Sequence, residues 1–169
     1  PESLKPGDVL ATNDPWMGTG HMYDITVMRP VFRAETLVGY TMSITHLPDI
    51  GGAGFGTTAT EIYHEGLRLP LCKLVCEGQV DEFLLELIAA NVRVPEQVIG
   101  DVMANVACNE VGGRQVLEFM DAYNLDSLAE LSGAIRSQSE RMTREAISEI
   151  RDGIYRNKIC IEGIDDAIT

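Results

Sequence analysis

Short apolar runs broken by turn-forming residues fill the first half of the chain, and this pattern is typical of strands and loops. Residues 8–75 are rich in glycine, proline, threonine, valine and isoleucine, a composition that favours strands between turns. A polar turn at residues 33–36 separates two of these runs, so we expect those two to form a hairpin. The predicted strands are Asp8–Thr12, Ile25–Phe32, Leu37–His46 and, more weakly, Leu71–Val75.

From Val80 onward the apolar positions recur at the spacing of amphipathic helices. Pro95 suits the first turn of the second helix. Gly112 and Gly113 would each cost about 1 kcal/mol inside a helix, so they mark either a break or a close helix contact. The apolar faces of the first two helices comprise Phe83, Leu84, Leu87 and Ile88, then Val98, Ile99, Val102, Met103 and Val106.

A third helix is predicted at roughly residues 125–150. It opens either at Asp126 or at the capping-box pair of Ser127 and Glu130. Its apolar stripe favours a core or subunit contact over any chemical site, and consists of Leu128, Leu131, Ile135 and Met142.

Strands followed by helices predict an α+β fold, with mixed or antiparallel N-terminal strands, a helical C-terminal half and a final edge strand. The edge strand is Tyr155–Glu162, where apolar and polar residues alternate. We expect a single domain or a fragment of a larger subunit, with residues 1–79 strand-rich, 80–150 helical and 151–169 forming the terminal strand. Because the chain begins at Pro1 without a signal segment, it is expected to be trimmed or cut from a longer protein.

The charge balance narrows the range of partners. Lysine and arginine number 13 against 26 aspartate and glutamate residues, a net charge of −13, which disfavours binding to nucleic acid or to an anionic membrane. No apolar run reaches membrane-spanning length. The four cysteines show neither a C-x-x-C pair nor zinc-finger spacing, so we expect reduced, structural thiols in a cytoplasmic protein.

The predicted hairpin brings together three residues of metal-ligating type. Antiparallel pairing keeps the sum of paired residue numbers constant, and centring on residues 33–36 makes that sum 69 or 70, which places Asp24 opposite Thr45 or His46. His21 lies in a glycine-flanked loop that can curl back toward Asp24. Two imidazoles and one carboxylate are the ligand set of catalytic iron, manganese or zinc sites. The alternative is that these residues are hydrogen-bonded at strand ends without a metal.

A glycine-rich segment, residues 48–56, follows the third predicted strand. Its backbone N–H groups can bind an oxyanion or phosphate, and the segment can equally be a lid or a tight connection. Gly51 and Gly52 are therefore candidate substrate-binding residues. Asp49 beside them is a candidate for orienting a metal ligand or for proton transfer as a general base.

Two further polar groups stand outside these segments. Asn13 and Asp14 precede Pro15 and are interpreted first as turn caps, and second as the border of a substrate pocket. His64, between Tyr63 and Glu65, is expected to be a solvated loop residue.

Four segments resemble one known family in their order and spacing. They read GDVLATNDPWMGTGHMYDITVMRPVF, SITHLPDIGG, HEGLRLPLCKL and NVRVPEQVIGDVMANV, and the likeness continues to RDGIY near the end. The chain is therefore identified as a member of the hydantoinase B/oxoprolinase family. The resemblance implies an ATP-dependent enzyme that hydrolyses a cyclic amide. The same family includes acetone and acetophenone carboxylases.

The resemblance also implies cofactors, partners and site residues. The B-type chain carries a divalent metal, bound here by His21, Asp24 and His46, and it pairs with an A-type subunit that uses ATP. Asp49 matches the acidic residue of the second motif, which implies a role in the pocket.

Three departures from the family pattern stand out. Leu47 follows His46 where many hydantoinases have paired histidines, and Leu71 follows Pro70 where the family often has two prolines. Members are also several times longer than this chain, so we expect a fragment that is inactive by itself.

The leading hypothesis is a metal-binding segment of an ATP-dependent hydrolase that opens a hydantoin, oxoproline or lactam in a hetero-oligomer. One alternative is an ATP-dependent ketone carboxylase, in which the metal stabilises an enolate. A second alternative is a non-catalytic assembly module that uses the apolar stripe of the third helix as its interface.

Overall fold

The computed structural model describes residues 4–18, 20–57 and 59–159. Within them a five-stranded antiparallel sheet has the order β3-β2-β1-β4-β5, and three helices follow it. This arrangement confirms the α+β prediction. The strands are β1 (Val9–Thr12), β2 (Asp24–Arg33), β3 (Thr36–His46), β4 (Cys72–Cys76) and β5 (Gln79–Val80), and the helices are α1 (Glu82–Asn91), α2 (Pro95–Ala122) and α3 (Ala129–Ser148).

The β2–β3 hairpin contains a bulge that decides its register. Near the turn, Phe32 pairs with Leu37, whereas beyond the bulge Val31 pairs with Gly39 and Asp24 pairs with His46. The sum of paired residue numbers is therefore 69 beside the turn and 70 over the rest of the hairpin. Both sums that the sequence allows therefore occur in the hairpin. The sum of 70 applies at the open end and pairs Asp24 with His46.

Helix α2 packs across one face of the hairpin through buried asparagines and glycines. The Asn109 side-chain amide donates to the Val27 carbonyl at 3.0 Å and to the Ser43 hydroxyl at 2.9 Å. A Cβ atom on Gly113 would lie 3.3 Å from the Val31 side chain. Because α2 runs unbroken through Gly112 and Gly113, these glycines mark a close contact and not a helix break.

The remaining core forms between the sheet and the first two helices. Asp81 caps α1, since its carboxylate accepts from the Leu84 backbone N–H at 3.0 Å. Buried apolar side chains of the strands meet those of the helices; they include Val9, Ile25, Val27, Leu74, Ile88, Val98 and Val102. The opposite face of the hairpin leaves Met42 and Ile44 exposed.

The chain divides into two compact units, with the boundary between Leu128 and Ala129. The third helix begins at Ala129, later than the predicted start near residue 125. Asn124 adopts a left-handed conformation with φ of 52°, and the Leu125 N–H closes the end of α2 on the Met120 carbonyl at 2.8 Å. Residues 125–128 are thereby separated from the helix.

The predicted strand Tyr155–Glu162 is only partly within the described residues. Residues 155–158 have no regular secondary structure, and Ile159 makes an isolated bridge, while residues 160–162 lie outside the described ranges. The described part is not the regular strand that its alternation predicts, because alternation does not itself supply a neighbouring strand for the backbone hydrogen bonds. Among the described residues, no helix is both long enough and apolar enough to cross a membrane.

Candidate metal centre

The two strand ends of the hairpin and the loop before β2 bring His21, Asp24 and His46 together. His46 Nδ1 lies 3.0 Å from Asp24 Oδ1, and His21 Nε2 lies 3.6 Å from Asp24 Oδ2. Each residue offers one ligand atom, and these three atoms all lie within 4.8 Å of one another. The structure therefore brings the three predicted ligand residues into one cluster.

The surroundings of this cluster fit a divalent cation. His21 Nδ1 is buried without a hydrogen-bond partner among the described residues, although a buried imidazole nitrogen ordinarily has one. The Asp24 carboxylate is largely shielded from solvent, while both imidazoles are partly open to it. Two imidazoles and a carboxylate on one side leave coordination positions free for water or substrate.

Side chains and backbone groups of other segments hold the loop between His21 and Asp24 by hydrogen bonds to its backbone. The Asn13 amide donates to the Met22 carbonyl at 2.8 Å, and Glu65 Oε2 accepts from the Met22 N–H at 3.0 Å. The Leu47 N–H donates to the Tyr23 carbonyl at 2.8 Å and extends the hairpin past its last paired residues. These bonds fix the loop next to the strand end.

Two aromatic residues that the sequence analysis did not select flank the imidazoles. The Tyr23 ring stacks on that of His46, with centroids 5.3 Å apart and an interplanar angle of 15°. The Phe55 ring meets His46 edge-on at 5.0 Å and approaches His21 at 6.3 Å. The only sequence signals for them are the position of Tyr23 beside Asp24 and an aromatic residue among glycines.

Tyr23 is nearly fully buried, and its hydroxyl has no hydrogen-bond partner among the described residues. Burial raises the pKa of the Tyr23 hydroxyl, and the negative charge of Asp49 raises it further. The phenol is therefore neutral at physiological pH, and stacks as an uncharged ring.

Asp49 holds the glycine-rich segment in place. Its carboxylate accepts hydrogen bonds from the Gly51 N–H at 2.9 Å, from the Arg93 guanidinium at 2.7 Å and from the Arg93 backbone N–H. Burial alone would raise the pKa of Asp49, but these N–H groups and the guanidinium charge outweigh it and lower the pKa. A carboxylate with a lowered pKa is a weaker base, so these contacts favour a role for Asp49 in positioning the glycine-rich segment. The predicted role of Asp49 in proton transfer stays a prediction.

Gly51 and Gly52 adopt positive φ angles of 81° and 59° and lie against backbone of neighbouring segments. The carbonyls of both accept from Arg93. Because the Gly51 N–H is bonded to Asp49, it is not available to an anion in this conformation. Substrate binding by these glycines stays a prediction.

Asp14 makes the turn contact that its sequence favours, whereas the Asn13 side chain does not cap the turn and bonds to the backbone of a distant segment. Asn13 is buried, and its carbonyl oxygen accepts from the Leu69 N–H at 2.6 Å. Asp14 accepts from the Trp16 N–H at 3.0 Å and from Arg68 at 2.8 Å. Their substrate-binding roles remain predictions, whereas the side chain of His64 is half exposed and pairs with Glu61.

Comparison with known families assigns the chain to one of them. The family model for hydantoinase B/oxoprolinase matches residues 1–169. The chain belongs to the hydantoinase B/oxoprolinase family.

Three comparisons with two kinds of enzyme illustrate the range of relatives. The β subunit of the caprolactamase of Pseudomonas jessenii is 34% identical over 164 residues, which cover 95% of this chain and 28% of that subunit. The crystal structure of the ATP-dependent caprolactamase from the same organism superposes with a TM-score of 0.84 at 32% identity, covering 95% of this chain and 28% of the other. 5-Oxoprolinase 1 of Arabidopsis thaliana is 27% identical, covering 90% of this chain and 13% of that protein.

A solved acetone carboxylase structure shares the fold alone. It superposes with a TM-score of 0.65 at 21% identity, covering 74% of this chain and 16% of the other. The chain thus spans less than a third of the length of each of these relatives.

Proposed function

We propose that this chain is the metal-binding part of an ATP-dependent hydrolase subunit that opens a cyclic amide. The observation that carries the proposal is the cluster of His21, Asp24 and His46, whose ligand atoms lie within 4.8 Å of one another. Support comes from a family that includes a caprolactamase subunit and a 5-oxoprolinase. The substrate class is accordingly a lactam, an oxoproline or a hydantoin.

The chemistry explains why such an enzyme needs two components. Resonance makes an amide carbonyl a poor electrophile, so an A-type partner subunit would first phosphorylate the carbonyl oxygen with ATP. That transfer releases ADP. Attack by one water on the activated carbon then breaks the ring C–N bond and leaves an acyl phosphate, and a second water releases phosphate to give the ring-opened amino acid. A manganese, zinc or iron ion bound at the cluster would supply Lewis acidity for the first of these attacks.

The residues of this chain have distinct tasks in that scheme. Asp24 contacts both imidazoles through its two carboxylate oxygens, and it would bind the ion together with them. Tyr23 and Phe55 cover two sides of the His46 ring, and their apolar surfaces exclude water from those sides.

The first test is metal content by plasma mass spectrometry, on the purified chain and on His21→Ala, Asp24→Ala and His46→Ala. His64→Ala is the matched control, because His64 is the third histidine of the chain and pairs with Glu61 outside the cluster. We expect near-stoichiometric metal in the wild type and in the control, and loss in the three cluster variants. Circular dichroism verifies that each variant is folded.

A folded wild-type chain without metal, both by itself and within the full-length subunit, would overturn the proposal. It would favour the assembly-module alternative, which requires no metal.

A second test decides between reaction types and uses the full-length subunit with its A-type partner. Ring opening of a lactam, oxoproline or hydantoin that requires ATP supports the hydrolase. Product formation from a ketone that requires bicarbonate would instead establish the carboxylase alternative.

A further inference from the structure

Arg93 links the helices to the glycine-rich segment at one point. It lies between the end of α1 at Asn91 and the start of α2 at Pro95. Its guanidinium donates to Asp49 Oδ1 at 2.7 Å, to the Gly51 carbonyl at 3.3 Å and to the Gly52 carbonyl. Its backbone N–H donates to the other carboxylate oxygen of Asp49.

The same glycine-rich segment contains Phe55, whose ring lies beside the cluster of His21, Asp24 and His46. Three residues after Gly52, the Phe55 ring lies 5.0 Å from the His46 ring and 6.3 Å from the His21 ring. Phe55 is 73% exposed, so burial of its own side chain contributes little to its position. The Ala53 N–H donates to the His64 carbonyl at 2.9 Å, which is a second attachment of the loop.

We propose that Arg93 is a positioning residue for the metal centre. It acts through Asp49 and the glycine-rich segment, and it holds Phe55 against the two imidazoles so that they keep the arrangement needed to bind the ion. This inference rests on the proposed function, because it assumes that the cluster binds a metal.

Holding the glycine-rich segment in this way requires the planar guanidinium of Arg93. A carboxylate and two carbonyl oxygens accept from its two terminal nitrogens, whereas a lysine ammonium is a single point charge without a fixed fork. Groups that orient metal ligands from outside the coordination shell typically change metal affinity 10–100-fold when they are removed.

The experiment measures Zn²⁺ affinity by competition with a chelator, and the Co²⁺ absorption spectrum as a report of ligand geometry. The variants are Arg93→Ala, Arg93→Lys and Phe55→Ala. Arg33→Ala is the matched control, since Arg33 also joins a carboxylate and a carbonyl, those of Asp121 and Leu125, but at the turn end of the hairpin. Circular dichroism monitors folding.

We expect Arg93→Ala and Phe55→Ala to weaken Zn²⁺ binding about 10-fold or more and to change the Co²⁺ spectrum. Arg93→Lys should recover part of the affinity, because it can still pair with Asp49. Arg33→Ala should bind like the wild type.

Wild-type affinity and spectrum in both Arg93→Ala and Phe55→Ala would overturn the inference while leaving the proposed function intact. If Arg93→Ala does not fold, Phe55→Ala decides, because its side chain makes no hydrogen bonds. A folded wild-type chain that binds no Zn²⁺, Mn²⁺ or Fe²⁺, both by itself and within the full-length subunit, would refute the proposed function itself, and the inference with it.

Discussion

Asp24 and His46 face each other across the β2–β3 pair, with His46 Nδ1 3.0 Å from Asp24 Oδ1. This pairing depends on the bulge near the turn, where Val38 has no partner on β2 between the Val31–Gly39 and Phe32–Leu37 pairs. Without the bulge, the register beside the turn would place Thr45 opposite Asp24. A shift of one residue moves each side chain to the other face of the sheet, so in the natural sequence the bulge brings Asp24 and His46 opposite each other.

Two single-residue deletions in β3 test this relationship. Deletion of Val38 removes the bulge but keeps Asp24 opposite His46, so metal binding should persist. Deletion of Ser43, which lies between the bulge and His46, should shift His46 out of register and abolish binding. Metal content of the two folded proteins is the measurement, and equal metal content in both would contradict the role assigned to register.

Metal binding should stabilise the fold, because the ligands come from separate segments that assemble only in the native state. At a free Zn²⁺ concentration 100 times Kd, the expected gain is about 2.7 kcal/mol. Thermal unfolding with and without Zn²⁺ should show a higher Tm for the wild type and for His64→Ala, reversed by a chelator. Asp24→Asn should show no such gain, and a similar gain in that variant would place the ion elsewhere.

The glycine-rich segment should tolerate alanine at one glycine and not at another. Gly52 and Gly54 both have positive φ, at 59° and 90°, but a Cβ on Gly52 would overlap the His64 and Glu65 backbone, whereas a Cβ on Gly54 meets nothing within 4 Å. Gly54→Ala should therefore cost only the backbone strain, about 1–2 kcal/mol. Gly52→Ala should cost more and should also weaken Zn²⁺ binding; urea unfolding that shows equal losses would contradict this explanation.

Asp8 should make stability depend on acid pH. Its buried carboxylate would have a raised pKa from burial, but hydrogen bonds from the Glu77 and Lys5 N–H groups and from Lys73 outweigh burial and lower the pKa. A carboxylate with a lowered folded-state pKa stabilises the fold above its unfolded value, about 3.9, and this contribution is lost as pH falls through the folded-state pKa.

The test compares urea unfolding of the wild type and Asp8→Asn between pH 7 and pH 3. At pH 7 we expect Asp8→Asn to lower the free energy of unfolding by about 2–3 kcal/mol, because the charged Lys73 loses its ion pair with the buried Asp8 carboxylate. Below about pH 4 the difference should shrink, because the Asp8 carboxylate of the unfolded wild-type chain takes up a proton first and that of the folded chain only at lower pH. A constant difference over the whole range would show that Asp8 does not supply this pH dependence.

Local patterns predicted much of the fold. The first three predicted strands lie within one residue of the observed bounds, and α1 and α2 follow from their apolar spacing. Hairpin arithmetic limited the partner of Asp24 to Thr45 or His46, but the choice needed the bulge. Nothing local predicts a bulge here, because it arises from the fit of two strands.

The contacts around the centre were less predictable. Arg93 reaches Asp49 over 44 positions of sequence, and Phe55 reaches His21 from a loop. Such contacts depend on where the helices and loops pack, and no spacing rule relates these residues. The late start of α3 likewise follows from how α2 ends at Asn124 and Leu125.

The sequence by itself determined the α+β class, the family and the identity of the three candidate ligands, because periodicity and motif spacing are properties of short segments. The tertiary structure alone decided that His46 faces Asp24, that Tyr23 and Phe55 flank its imidazole, and that Asp49 is bonded to Arg93 and the glycine-rich segment. Those features depend on strand register and on packing between distant segments, where the free energy of many contacts selects one arrangement.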